Sequence, residues 1–324
     1  MSSFRIGFLP LVDSVLPIVA HEFGLAGAEG VSIVPVKDPS WATVRDRLIY
    51  GQTDAAHLLA PLAIATSMGL DRPAVPLGAP FMLGLNGNAV TVSPRIAALL
   101  GDAAIGDVAA TGRALAAIAR GEADKGRKLR FAVVHRYSSH NYMLRYWLAA
   151  SGCDPDRDVE IVVIPPPFVA EALESGEIDG SCVGEPWNSV AVERGVGVIV
   201  AATARIWSRG VEKLLAFRRQ TLDERGEEVA ALIRALHAAG KVMADAAQRR
   251  EVAALLARPS YIDQPADLIE RALSNRMVLT QGEAAQPIED FLVLYREAAN
   301  FPWRSQAMWL YSQMVRWGHA PLES

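Results

Sequence analysis

A chain of 324 residues with 51% hydrophobic and 21% charged side chains is long enough for two ordinary domains and apolar enough to give each a core. A net charge of -4 offers no footprint for nucleic acid, and no apolar run approaches the roughly 18 residues that span a bilayer. Two cysteines without metal spacing, Cys153 and Cys182, read as buried thiols.

The opening residues, Met1-Ser-Ser-Phe-Arg-Ile, do not form a signal peptide. That predicts a cytoplasmic protein if Met1 is the native start, and a periplasmic one if the true start lies upstream. Arg5 to Leu9 reads as a strand and Pro17 to Phe23 as the helix after it. Ser32 to Val36 is the next strand, with Ser40 as N-cap of a helix from Trp41 to Tyr50. Asp54 to Leu58 and Pro61 to Met68 repeat the alternation, so a doubly wound α/β lobe is expected. Gly84 to Val92 is turn-rich and runs into a strand. Pro94 to Lys128, rich in Ala, Gly and Arg, reads as helices.

Leu129 to Val134 is a strand, followed by a helix capped by Ser138 or Ser139 and ending near Gly152. Ile161 to Ile164, Phe168 to Leu173 and Ile178 to Val183 then read as strand, helix, strand. A crossover of this length makes the two strands parallel. Ligands of open parallel sheets sit beyond the carboxyl ends of the strands, so Gly184-Glu185-Pro186-Trp187-Asn188 is where a ligand is expected. Val196 to Ala201 and Lys213 to Phe217 are further strands, and Thr221 to the end reads as nearly all helix, with 3.6-residue spacing in EEVAALIRALHAAGKVMADAA. The expected division is 1–90 plus 197–324 in lobe one, with the helical C-terminal region, and 91–196 in lobe two. Strands near 89–92 and 196–201 would form the hinge.

No G-x-S-x-G, H-E-x-x-H, P-loop or strand-linked G-x-G-x-x-G occurs, so the chain does not read as an enzyme. What it offers is donors. Trp41 and His140 fall at first turns of helices that follow strands, where backbone N–H groups favour a small anion. Lys213 supplies charge and Asn88 a carboxamide; a planar oxyanion suits such a set. Each has a plainer alternative. Trp41 serves equally as a packing residue, His140 as a capping or surface residue, Lys213 with Glu212 as a solvated pair, Asn86-Gly87-Asn88 as a turn, and Glu185-Pro186 as a helix start.

Several long strings, among them PSWATVRDRLIYGQTDAAHLLAPLAIA, SSHNYMLRYWLAASGCDPDRDVEIVVIPPP, GEIDGSCVGEPWN and NFPWRSQAMWLYSQMVRWG, resemble the nitrate- and bicarbonate-binding receptors of ABC importers. They are more similar still to a soluble relative, the NasS nitrate/nitrite sensor. The resemblance implies a type II periplasmic-binding-protein clamshell and an anion held between its lobes by Trp41, Asn88, His140 and Lys213, with His135 less certain; Gly184 and Glu185 are expected beside it from their place at the end of a parallel strand. Bicarbonate receptors bring in calcium through a carboxylate near that lysine, which makes Glu212 a second less certain candidate. No cofactor or metal is otherwise implied. Lacking an export signal, the chain is expected to be a cytoplasmic sensor of nitrate or nitrite whose closure releases a NasT-type antiterminator protein. The alternatives are the binding subunit of an importer for nitrate, bicarbonate or a sulfonate, with an ABC permease as partner, and, more remotely, an enzyme resembling the thiamine-pyrimidine synthases, whose cysteine cluster this chain lacks. Two departures stand out: Leu25 to Gly30 lacks the Phe and acidic pair common there, and Asn88 is one methylene shorter than the Gln of some receptors.

Overall fold

The computed structural model describes residues 2–101 and 107–322. In chain order its strands are β1 (Ser2–Phe8), β2 (Val31–Lys37), β3 (Ala55–Leu59), β4 (Leu77–Asn86), β5 (Asn88–Val92), β6 (Leu129–Val133), β7 (Val159–Val163), β8 (Gly180–Gly184), β9 (Val198–Ala202), β10 (Val211–Arg218) and the short β11 (Arg276–Met277), β12 (Gln286–Pro287) and β13 (Leu292–Val293). The chain divides into two compact units, Met1–Leu85 with Val211–Ser274 and Leu292–Ser324, and Asn86–Gly210 with Asn275–Phe291.

In the first unit the sheet runs β13-β4-β10-β3-β1-β2. β1 pairs in parallel with β2 and β3, while β10 is antiparallel to both β3 and β4. Alternating strand and helix from β1 through the helix Ala60–Met68 produce the parallel part, as the periodicity predicts. The helix Gly226–Ala244 buries Val229, Leu232, Leu236, Ala239 and Met243, one face at helical spacing. Gly240 on that face lies against Tyr295, where an added Cβ would sit 2.8 Å from the ring. No helix among the described residues is long and apolar enough to cross a membrane.

In the second unit the order is β7-β6-β8-β5-β9. β7 and β8 are each parallel to β6, so the crossover from β7 to β8 gives parallel strands as expected, with β6 between them. β5 is antiparallel to β8 and β9. The core joins Phe131, Leu144, Trp147, Leu115 and Val200 with both Cys153 and Cys182. Neither cysteine is in a disulfide, and burial pushes the Cys153 thiol up to about 12.

Three expectations need correction. Leu77–Asn86 is a ten-residue strand where none is predicted before Gly84, because Gly78, Pro80 and Gly84 hide its pattern. The C-terminal region is not continuous helix: β11, β12 and β13 lie between the helices Ala266–Leu273 and Arg304–Arg316, and Asn275 and Asp290 take left-handed backbone angles that no helix accommodates. Finally, the predicted hinge strands are both interior to the second unit. β5 pairs with β8 and β9, and the boundaries fall instead at 85/86, 210/211, 274/275 and 291/292. Within the predicted helical stretch Pro94 to Lys128, the helices are Pro94–Leu99 and Val108–Ala123; positions 102–106 lie outside the described residues.

Candidate functional site

Ser40 caps the helix Trp41–Ile49, its Oγ accepting from the Thr43 N–H at 3.2 Å, and this places Trp41 at the first helical position. The indole is buried. Its ring centroid lies 5.2 Å from that of His57 on β3, and the Lys213 ammonium sits 5.1 Å from the Trp41 ring centroid, within cation–π range. Trp41 Nε1 is buried without a hydrogen-bond acceptor among the described residues. A buried N–H in that position is an open donor.

Lys213 is not the solvent-facing cation that its sequence context allows. Its side chain is 0% exposed, and Nζ donates to Asp13 Oδ2 at 2.8 Å and to Glu212 Oε1 at 2.6 Å. Neighbouring side chains on a strand normally point to opposite faces, but the β10–β4 pairing shifts register on both sides of Lys213. That irregularity allows Glu212 and Lys213 to meet. Asp13, in the turn Val12–Ser14, also accepts from His57 Nε2 at 2.9 Å. Burial alone would strip the Lys213 proton, yet the charges of Asp13 and Glu212 outweigh it and raise the lysine above its ordinary value. For Asp13, burial opposes ionisation, but Lys213 and His57 hold the carboxyl well below the usual range. Burial lowers His57, so the imidazole is neutral at pH 7 and its Nε2 carries the hydrogen given to Asp13.

Sequence reasoning singles out Trp41, Lys213 and Glu212 and misses Asp13 and His57. Both carried a signal: each is a lone ionisable residue inside an apolar run, PLVDSVLP and AAHLLA, and a buried charge must be paired.

The second unit holds the other candidates. Asn88 opens β5 directly opposite Gly184 at the end of β8, and its carbonyl accepts from Thr203 Oγ1 at 3.0 Å. Asn86 serves the turn before it, its side chain accepting from the Gly210 N–H at 3.0 Å and donating to the Asp290 carbonyl at 2.8 Å. Gly184 and Glu185 follow the carboxyl end of β8, and His140 stands second in the helix Ser139–Ala150 that follows β6. Because β6 and β8 are parallel, His140, Gly184, Glu185 and Asn88 share one end of this sheet. His140, Asn88 and Glu185 are all buried. Ser138 is the cap of that helix, accepting from the Asn141 N–H at 3.1 Å. His135, half-buried, spends its Nδ1 on the Tyr137 N–H at 3.0 Å and so organises the loop before the helix. The Glu185–Pro186 peptide is cis, and the helix that follows runs from Trp187 to Glu193.

No group of three His, Cys, Asp or Glu side chains among the described residues is placed to hold a metal ion. An apolar cavity of about 360 Å³ lies in the first unit between the helices Ala60–Met68 and Arg304–Arg316. Its wall is made of groups such as Ile64, Met68 and Leu310, which suit no small anion.

Residues 1–257 match the model of the NMT1-like family. Over 97% of its length the chain is 33% identical to the nitrate import ATP-binding protein NrtC of a Synechocystis strain, and over 98% it is 31% identical to the nitrate/nitrite binding protein NrtA of Synechococcus elongatus. It spans 46% of that NrtC and 72% of that NrtA. The crystal structure of the periplasmic nitrate-binding protein NrtA from Synechocystis superposes with a TM-score of 0.92 at 25% identity, covering 100% of this chain and 83% of the other. The architecture is accordingly that of the periplasmic binding proteins, as the resemblance of the sequence implies.

Proposed function

This chain belongs to the NMT1-like family, and from that premise we propose that it binds a small planar oxyanion, nitrate or nitrite, as the substrate-binding component of an ABC importer. The observation that carries the reading is its superposition, along its whole length, on a nitrate-binding protein. The donors support it. In the first unit, Trp41 offers a buried indole N–H and Lys213 an ammonium beside it. In the second unit, Asn88 and His140 are proposed as further binding residues, with Gly184 and Glu185 at the same sheet end. His135 is assigned a positioning role, because its Nδ1 already accepts from the backbone.

A sensor that reports the anion to a NasT-type antiterminator would use the same binding chemistry. The two relatives above are named for nitrate import and nitrate/nitrite binding, which favours the transport component over that sensor. Calorimetric titration with nitrate, nitrite, bicarbonate with and without calcium, and methanesulfonate tests the assignment. Saturable binding of nitrate or nitrite supports it. A response confined to bicarbonate with calcium, or to the sulfonate, would reassign the ligand, and no response to any of them would sink the anion reading.

A further inference from the structure

The apolar cavity of about 360 Å³ in the first unit takes no part in the anion chemistry described above. Ile64 and Met68 of the helix Ala60–Met68, Leu77 and Met82 of β4, Leu214 of β10 and Leu310 of the helix Arg304–Arg316 stand on its wall. Small residues sit where the two helices face it: Ala63 on one and Ala307 on the other. Larger side chains at those places would fill the space. A wall of this composition gains most from an apolar guest, whose body leaves water on entry.

The cavity also has a sign. Among its lining residues only Arg304 is charged. Arg304 is exposed, opens its helix, and makes no ion pair among the described residues. No Asp or Glu occurs between Ala298 and Leu322, the stretch that supplies this side of the wall. A single guanidinium at the rim of an apolar space favours a guest with one anionic head, and its planar fork matches a carboxylate at two points. Size sets the length of the guest. At about 30 Å³ for each group, the share of a water molecule in the liquid, the space takes roughly twelve non-hydrogen atoms, as many as decanoate has.

We propose that this cavity is a second binding site, for the carboxylate of a medium-chain fatty acid. The chain lies between the helices Ala60–Met68 and Arg304–Arg316, and the carboxylate pairs with Arg304. The site falls wholly within the first unit and shares no residue with Trp41, Lys213 or their partners, so it stands independently of the nitrate reading.

The test is calorimetric titration of the intact protein at pH 8 with hexanoate, octanoate, decanoate and dodecanoate below their micellar concentrations, and with octan-1-ol. One carboxylate should bind per chain. Affinity should rise by up to about fourfold per added methylene and level off near ten carbons, where the space is full. Arg304→Gln should weaken octanoate about two- to tenfold, leave octan-1-ol unchanged and leave nitrate binding as in the parent. Ala307→Phe, at an exposed helix position, and Ala63→Leu, on the opposite wall, each occupy the chain's space; both should lose most of the decanoate binding with circular dichroism unchanged. Absence of saturable decanoate binding, affinity that still climbs steeply at dodecanoate, unchanged octanoate affinity in Arg304→Gln, or full binding in both cavity-filling variants would each overturn the proposal. So would sedimentation showing that Ala307→Phe dissolves a dimer of the parent chain, or adsorption to phosphatidylglycerol vesicles by a protein that takes no decanoate from solution. None of these outcomes bears on nitrate.

Discussion

Replacing Lys213 by Ala separates a buried charge network from a surface cation. From sequence alone the substitution should abolish anion binding and spare the fold. The structure requires a cost to the fold as well. The ammonium sits 2.8 Å from Asp13 and 2.6 Å from Glu212, and its removal takes the cation away from two carboxylates that are 5% and 3% exposed. Stranding a buried charge costs about 3–5 kcal/mol. Against a total stability of about 5–15 kcal/mol this is a large fraction, and with a urea m-value of roughly 2 kcal/mol/M it moves the midpoint by about 2 M. Urea denaturation followed by far-ultraviolet circular dichroism measures it. The stranded carboxyls acquire raised folded-state values, so the deficit should be smallest near pH 4 and grow as pH rises through those values. Adding Asp13→Asn and Glu212→Gln to Lys213→Ala removes the stranded charge and should restore much of the loss. A deficit below about 1 kcal/mol at pH 7, or one independent of pH, would refute the network.

Three further outcomes follow from the same contacts. Asp13, held below its ordinary value, contributes stability above about pH 4 that is lost as pH falls; Asp13→Asn should lower neutral stability by about 1–3 kcal/mol and flatten the acid limb, read from thermal melts across pH. Gly180→Ala would place a Cβ 2.6 Å from Phe131 Cε1 and 3.0 Å from the Thr91 carbonyl oxygen, and should cost about 1–3 kcal/mol in the second unit, with an unchanged melting temperature contradicting that packing. Ser40→Ala deletes the acceptor for the Thr43 N–H and should cost about 0.5–2 kcal/mol, with weakened anion binding because Trp41 begins the same helix turn.

Much of the fold was legible in the sequence because its elements obey local rules. Ser40 before Trp41 is the N-cap in both the reading and the structure, Ser138 is the one of the two read cap candidates that precedes the helix Ser139–Ala150, and the apolar runs at Ser32 to Val36 and Ile161 to Ile164 became β2 and β7 with small boundary shifts. What escaped depended on distant partners. The strand Leu77–Asn86 is interrupted by Gly and Pro, and only its neighbours in the sheet complete it. Asn275–Phe291 joins the second unit, although nothing local marks its departure from the helices on either side. Glu212 next to Lys213 looks like a solvated pair until a register shift buries both. His57 and Asp13 were visible as lone ionisable residues in apolar runs, but their partnership spans 44 positions and no periodicity reports it.

The central claim is that the buried indole beside Lys213 meets a nitrate or nitrite ion. Titrating the parent protein with nitrate while following tryptophan fluorescence, and repeating it with Trp41→Phe, tests that most directly. The account predicts saturable quenching in the parent and its loss in the variant, with the variant's fold retained by circular dichroism. Saturable quenching of equal size and affinity in Trp41→Phe would place the anion elsewhere and contradict the assignment.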